Sequence, residues 1–266
     1  MLLQEIISMT KLEFENVTFS YCSKRFMEQM SFSVAEGELV GLMGPNGAGK
    51  STILKLAAGL LSPQKGRVMV GKRAIGSYCG KERAKLVAYL PQILDLQAPF
   101  RVGELVRMGA YPYERSQALT FEEAIHIVGL HGKAKTHLSE LSGGERRRAY
   151  VAMTLVQGAR VLLLDEPLAS LDIKYQFDLY RLLKDIVREK GVSVFMSLHD
   201  IGMGAMLDRV ILVKEGQVVI QGDPGSVLTD EIVQDAFDLN ESIDIYMETN
   251  RTVCHALAVA ACKKGM

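Results

Sequence analysis

Two segments of this sequence carry residue types suited to phosphate chemistry. Gly44-Pro45-Asn46-Gly47-Ala48-Gly49-Lys50-Ser51-Thr52 fits the pattern G-x-x-x-x-G-K-[ST]. Glycines let backbone N–H groups turn inward around an anion, so the loop from Gly44 through Asn46, Gly47, Ala48 and Gly49 forms a nest at a helix N-terminus. Lys50 brings a mobile ammonium to β- and γ-phosphates, Ser51 a hydroxyl ligand to Mg²⁺, and Thr52 a donor to phosphate. As an ordinary glycine turn, the four fixed positions would coincide in roughly one chain in a hundred of this length. The pattern therefore points to nucleotide binding.

The second segment is Val161-Leu162-Leu163-Leu164-Asp165-Glu166-Pro167, an apolar run ending in two carboxylates. Ligand groups collect at the carboxyl ends of strands in open α/β sheets. Asp165 suits Mg²⁺, reached through water, because that ion prefers hard oxygen ligands and keeps several waters. Glu166 then stands where it can polarise or deprotonate an attacking water. A third segment, Leu141-Ser142-Gly143-Gly144-Glu145, offers a hydroxyl and two glycines at a helix start, which is a second anion site. One γ-phosphate does not need two cradles from one chain. A second site facing the first across a dimer accounts for it.

These residues need a scaffold, and the periodicity supplies one. Lys11–Phe19 alternates apolar and polar residues, as a strand with one buried face does, and Phe32–Val34 continues the pattern. Leu39–Met43, bounded by glycine at both ends, reads as a buried strand of a parallel sheet, with Glu36-Gly37 as the turn before it. The spacing predicts a helix over Ile53–Leu61, stopped by Ser62-Pro63. Gly66–Val70 and Arg73–Ile75 read as a hairpin, and Leu86–Leu90 as a strand. Helices follow at Val102–Gly109 and Phe121–Val128. Beyond Ser139–Gly144 come a helix at Glu145–Gln157, a strand at Val161–Leu164, a helix at Tyr175–Glu189 and a strand at Val192–Leu198. A last hairpin, Val210–Lys214 with Gln217–Gln221, turns at Glu215-Gly216.

The fold class expected is α/β. An ATP-binding core with a mostly parallel sheet and an antiparallel β subdomain would take residues 1–92 and 141–240. A helical insertion would take 93–140, and a C-terminal tail 241–266. Arg146-Arg147-Arg148 reads as a solvated helix face, and Met203 and Met206 as core.

Composition narrows the partners. The 266 residues hold 31 Lys plus Arg against 31 Asp plus Glu, so the formal charge is zero, which argues against a nucleic-acid or anionic-lipid coat. No apolar run approaches the roughly 18 residues that span a bilayer, and the N-terminus does not read as a secretory signal. A cytoplasmic chain, with any membrane role supplied by a partner, is expected. Cys22, Cys79, Cys254 and Cys262 show no CxxC pairing, and Cys254-His255 with Cys262 matches no common zinc site, so reduced thiols are expected. His126, His131, His137 and His255 read as helix-capping or surface residues.

With these motifs in order, the sequence resembles the ATP-binding cassette family over about residues 11–240. Leu141–Glu145 matches that family's signature, which in relatives contacts the γ-phosphate held by the opposite subunit. The resemblance implies further roles. Tyr21 matches the aromatic that stacks on adenine. Gln92, in Leu90-Pro91-Gln92, matches the glutamine reporting on Mg²⁺ and on the membrane partner. Ser170-Leu171-Asp172 matches the loop crossing the dimer, and His199 the switch histidine near the γ-phosphate. Glu166, His199 and Gln92 would then be catalytic, with Ser51, Gln92 and Asp165 around Mg²⁺. ATP would lie between Lys50 of one copy and Ser142, Gly143 and Gly144 of the other.

Within the family the chain looks most like importer subunits for iron–siderophore complexes, haem and cobalamin, on Leu90-Pro91-Gln92, Val102–Tyr113 and Leu171–Gln176. Gly109-Ala110-Tyr111-Pro112 stands where relatives often carry Gly-Arg-x-Pro, while Arg147 and Ala159 replace a commoner Gln and Pro. The partners implied are a second copy, a membrane permease docked on the helical insertion, and, indirectly, an extracytoplasmic substrate-binding protein. Phe100, Val102 and Tyr111 are candidates for exposed apolar docking residues, and the cytoplasmic membrane face is the expected location. A cassette for another substrate, a metal ion or an exported molecule, and a soluble ATP-gated clamp are the rival readings, but for the clamp neither a coiled-coil heptad run nor a second G-x-x-x-x-G-K-[ST] loop is present. A small-molecule kinase would leave Leu141–Glu145 unexplained.

Overall fold

The computed structural model describes residues 11–21, 26–92, 99–112, 119–169 and 171–238. Cys22, Ser170, Cys254, His255, Cys262 and the tail from 241 lie outside the described residues.

Two sheets share one core. The smaller is antiparallel, built from β1 (Leu12–Phe19), β2 (Met27–Val34), β4 (Lys65–Val70) and β5 (Arg73–Ala74) in the order β2-β1-β4-β5. The larger runs β10-β9-β3-β8-β7-β6, from β3 (Leu39–Met43), β6 (Val87–Leu90), β7 (Val161–Leu164), β8 (Ser193–Ser197), β9 (Arg209–Lys214) and β10 (Gln217–Gly222). Its strands are parallel except for the β9–β10 hairpin.

The buried parallel strands carry apolar residues on both faces, which is why they read as continuous runs. Val40 and Leu42 of β3, Val161 and Leu163 of β7, and Phe195 of β8 face the antiparallel sheet and helix α1 (Lys50–Ala57). Leu39, Met43, Leu162, Leu164, Val194 and Met196 face the opposite layer. That layer contains α3 (Val102–Met108), α4 (Phe121–Ile127), α5 (Gly143–Val156) and α6 (Ile173–Lys190). Helices α3 and α4 pack on α5, so the helical part between β6 and β7 is tied to the sheet through that helix. Short helices α2 (Gly80–Leu86), α7 (Ile201–Gly204), α8 (Pro224–Val227) and α9 (Asp230–Phe237) complete the described chain.

Some elements differ from expectation. Helix α1 ends at Ala57, four residues before Leu61, because Gly59 takes φ +66° and the Leu60 amide bonds back to the Lys55 carbonyl. Helix α2 lies between the hairpin and the expected strand, where no element is expected, and it takes Leu86, so that strand begins at Val87. The run of three arginines is not a solvated face: Arg147 is buried, at 8% exposure, while Arg146 and Arg148 bond backbone carbonyls and Arg148 lies over the Tyr175 ring. Met203 is core as expected, and Met206 is half-buried against the same layer.

Candidate active site

Strand order places the chemistry. β3, β8, β7 and β6 lie side by side and parallel, so the residues following each strand share one edge of the sheet. β3 leads into Gly44–Gly49, β8 into Leu198 and His199, β7 into Asp165 and Glu166, and β6 into Pro91 and Gln92. Four segments far apart in sequence thus meet at the carboxyl edge where open α/β sheets bind ligands.

In the glycine loop, Gly44, Gly47 and Gly49 all take positive φ. Gly49 caps α1 at φ +105°, and the loop opens directly onto that helix's first amides. Lys50 is buried, and its Nζ donates to the carbonyls of Gly44 at 2.7 Å and Pro45 at 3.0 Å. Burial pushes the ammonium below the ordinary lysine range, while the Glu166 and Asp165 carboxylates pull it back. Ser51 is half-buried. The Thr52 hydroxyl lies 2.9 Å from that of Tyr21, whose ring remains exposed beside Phe19 and Phe26.

The carboxylate pair is fixed from below. Asp165 is buried, and its Oδ1 accepts from Ser197 Oγ at 2.7 Å. Tyr89 OH approaches Oδ2 at 3.4 Å, and burial together with Asp165 drives that phenol's pKa upward, keeping it a proton donor. Glu166 takes φ +50°, a conformation uncommon outside glycine, and its amide donates to the same Ser197 Oγ at 2.8 Å. His199 Nε2 lies 2.7 Å from Glu166 Oε1. A cavity of about 120 Å³ next to this pair is lined by Glu166, Leu168, Gln176, His199 and Met203 among others.

Ser142 caps α5 reciprocally. Its Oγ accepts from the Glu145 amide at 3.3 Å, and its own amide donates to Glu145 Oε2 at 3.1 Å. Ser142 and Gly143 are exposed, and a Cβ on Gly143 would meet open space. Among the described residues, no hydrogen bond joins Ser142, Gly143 or Gly144 to the glycine loop. Asp172 starts α6 and is exposed, with no capping bond from its side chain. The Gln92 side chain is exposed too, while its carbonyl accepts from Arg147 Nη1 at 3.3 Å.

One edge therefore collects Lys50, Ser51, Asp165, Glu166, Gln92 and His199, and among the described residues no hydrogen bond ties the signature residues to them. Residues 27–169 match the family model described as ABC transporter. The chain belongs to the ABC transporter family. Its fold is that of an ABC cassette, and it is an ATP-binding, ATP-hydrolysing protein. It is similar to the petrobactin import ATP-binding protein FpuC of Bacillus anthracis, 37% identical over 245 residues that cover 89% of each chain. The hemin import ATP-binding protein HmuV of Rhodopseudomonas palustris (strain BisA53) is 37% identical over 244 residues, covering 87% of this chain and 89% of that one. Among solved structures, the dimeric post-hydrolysis ATP-binding cassette MJ0796 bound to ADP and Pi superposes with a TM-score of 0.72. It is 25% identical and covers 80% of this chain and 98% of that one.

Three groups escaped the sequence reading. Ser197 bridges Asp165 and Glu166, and its signal was a lone hydroxyl closing the apolar run Val194-Phe195-Met196 two residues before His199. Tyr89 carries a comparable signal in the strand Val87–Leu90. Arg147 was hidden by its neighbours. Of the proposed docking residues, Tyr111 is exposed at 74%; Met108, which was not among them, is exposed on the same helical part. Val102 is fully buried and Phe100 half-buried, because Val102, Leu105 and Val106 form the inward stripe of α3. No helix among the described residues is long and apolar enough to cross a membrane.

Proposed function

We propose that this ATPase powers a membrane importer for an iron–siderophore complex or haem, working as two copies beneath a permease at the cytoplasmic face. The observation that carries the reading is end-to-end similarity to cassettes named for petrobactin and hemin import, with about nine-tenths of each chain aligned. Those names favour iron-bearing cargo over cobalamin. An extracytoplasmic binding protein would deliver the cargo, and nothing in the residues of this chain points to nucleic acid.

The residues present fit MgATP as substrate. Lys50 already rests on two loop carbonyls, and a triphosphate would draw its ammonium onto phosphate oxygens instead. Tyr21 offers an exposed ring to adenine. Ser51 and Asp165 supply hard oxygens of the type Mg²⁺ prefers, and Asp165, held by Ser197 and Tyr89, suits contact through water. Gln92 completes that set from the next strand end. When bound, the ion neutralises charge on the β- and γ-phosphates.

Hydrolysis then needs positioning more than covalent chemistry. Glu166 takes the proton of the attacking water, and His199 holds the Glu166 carboxylate in place and stands ready to contact the γ-phosphate. Ser142, Gly143 and Gly144 of a second copy close over the nucleotide from the other side, with Asp172 in the loop that crosses between the copies. Binding therefore biases the pair towards a closed state and hydrolysis reopens it. Reconstitution with the permease in vesicles tests the reading: MgATP should drive accumulation of ferric siderophore or hemin. Accumulation of neither, in vesicles that still hydrolyse ATP, would reject the assigned cargo.

A further inference from the structure

Gln176 lies in the first turn of α6, and its side chain turns back onto the segment that precedes the helix. That segment starts at Glu166 and closes on itself twice. The Ala169 amide donates to the Glu166 carbonyl at 3.2 Å, and the Leu171 amide to the Leu168 carbonyl at 3.3 Å. Gln176 Nε2 reaches both ends of the second turn, donating to the Leu168 carbonyl at 3.3 Å and the Leu171 carbonyl at 3.1 Å. A side-chain amide has two N–H donors, so it can serve both carbonyls at once. The Gln176 backbone amide adds a bond to the Asp172 carbonyl at 3.0 Å. The same side chain lines the cavity of about 120 Å³ beside Glu166 and His199.

This anchor presents two exposed residues. Leu168 and Leu171 are buried, whereas Asp172 and Ile173 follow directly and face solvent. An acid at a helix start ordinarily bonds that helix's own first amides. Asp172 makes no such bond, so its carboxylate points away from α6 unspent. Beside it Ile173 is 63% exposed, a large apolar side chain with nothing of its own copy over it. An acid and an aliphatic residue held side by side on a buried footing suit contact with the second copy.

We propose that Gln176 is a positioning residue for closure of the two-copy ATP clamp, setting Asp172 and Ile173 so that they meet the second copy. This rests on the reading of that loop as the one that crosses between the copies. Methionine at 176 keeps the length of the side chain and loses both donors. Glutamate keeps the shape but sets carboxylate oxygens against two carbonyl oxygens. In either variant the loop relaxes and closure weakens, while the glycine loop that holds nucleotide in one copy is untouched. A pair of identical copies uses Gln176 twice, so a loss of about threefold to tenfold per copy is roughly squared in the dimer.

The test is light scattering with MgATP over a range of protein concentrations, using Glu166→Gln with and without Gln176→Met or Gln176→Glu. Fluorescent-nucleotide binding and thermal melting are measured on the same proteins, and ATPase against protein concentration on Gln176→Met alone. With Gln176→Met the MgATP dimer should come apart at roughly tenfold to hundredfold higher protein concentration, and with Gln176→Glu at least as readily. Nucleotide affinity of the dilute single copy should stay within about twofold of the parent, and the melting temperature within about 4 °C. The ATPase of Gln176→Met should be low in dilute solution and recover as protein concentration rises, which a merely structural defect would not do. A folded Gln176→Met protein that dimerises like its parent overturns the proposal. So does an ATPase loss that concentration does not restore and that comes with weaker nucleotide binding. If Gln176→Met does not fold, Gln176→Glu decides by the same criteria. A Glu166→Gln parent that stays monomeric with MgATP rejects the two-copy reading and the proposal with it, and that outcome is seen before any variant at 176 is compared.

Discussion

His199 Nε2 and Glu166 Oε1 lie 2.7 Å apart, bridging the ends of adjacent strands β8 and β7. With Glu166 ionised, Nε2 carries the proton and donates. The pair is a short link between the group assigned to activate water and the group assigned to sense phosphate. It also holds the carboxylate off the sheet, over the cavity lined by Gln176 and Met203.

Removing the base should leave binding intact. Glu166→Gln keeps the size of the side chain but cannot take a proton, so ATPase turnover should fall by roughly 10² to 10⁴ while ATP still binds. His199→Ala should lower turnover as well, since it frees the carboxylate and removes the group proposed to contact the γ-phosphate. Single-turnover hydrolysis beside an equilibrium binding titration reads both. Near-normal turnover in Glu166→Gln would strip that residue of its role.

Lys50→Ala acts at the earlier step. It removes a buried cation that holds two loop carbonyls and would meet the phosphates. A hydrogen bond to a charged group contributes about 1.5–3 kcal/mol, so nucleotide affinity should drop roughly tenfold or more. Titration with a fluorescent ATP analogue measures it. Unchanged affinity would mean that the backbone nest alone holds the phosphates.

The loop glycines should differ in what they tolerate. A Cβ on Gly44 would stand 2.0 Å from the Val213 carbonyl oxygen, in a backbone conformation of φ +149°. Gly44→Ala should therefore destabilise by about 2 kcal/mol or more. A Cβ on Gly47 meets nothing within 4 Å, so Gly47→Ala bears only the strain of its φ of +81°, about 1–2 kcal/mol. Urea unfolding of the two variants gives the comparison, and equal midpoints would contradict it.

The sheet and its edge were legible because buried parallel strands are continuous apolar runs. Leu39–Met43 and Val161–Leu164 are strands with the bounds read from the sequence, and the functional segments follow them directly. Helix α2 was not legible: Gly80–Leu86 has no fully buried residue, hence no apolar stripe to detect. Val102 was misjudged for the opposite reason. It begins an i, i+3, i+4 stripe with Leu105 and Val106, and that spacing faces a core.

Arg147 failed by a different route. Successive helical residues are about 100° apart, so three consecutive arginines cover about 200° and cannot all share a solvated face. The sequence therefore carried the sign that one must turn inward. It could not say that the inward one would meet carbonyls from two strand ends, because that meeting depends on tertiary structure.

The exposed signature should act only between copies. Glu166→Gln protein should form dimers on adding MgATP, seen by light scattering, and remain monomeric without it. Ser142→Arg in the same background should abolish the dimer, since it places a bulky cation where the second copy would close. The lost cap costs the fold only about 1 kcal/mol. A double variant that still dimerises with MgATP would place Ser142 outside the interface.

Glu145 gives that same helix a dependence on acid. Its carboxylate pairs with Lys133 and accepts the Ser142 amide, and these bonds hold its pKa below the ordinary glutamate range. A carboxylate depressed in the folded state stabilises fully above its unfolded value of about 4.3. That contribution fades as pH falls through the lower folded value. Glu145→Gln should therefore be less stable than wild type at neutral pH, with the difference shrinking as pH drops below about 4. Urea midpoints measured from neutral to acid pH follow the gap. A constant gap would mean that Glu145 stabilises α5 by hydrogen-bond geometry alone, with no part played by its charge.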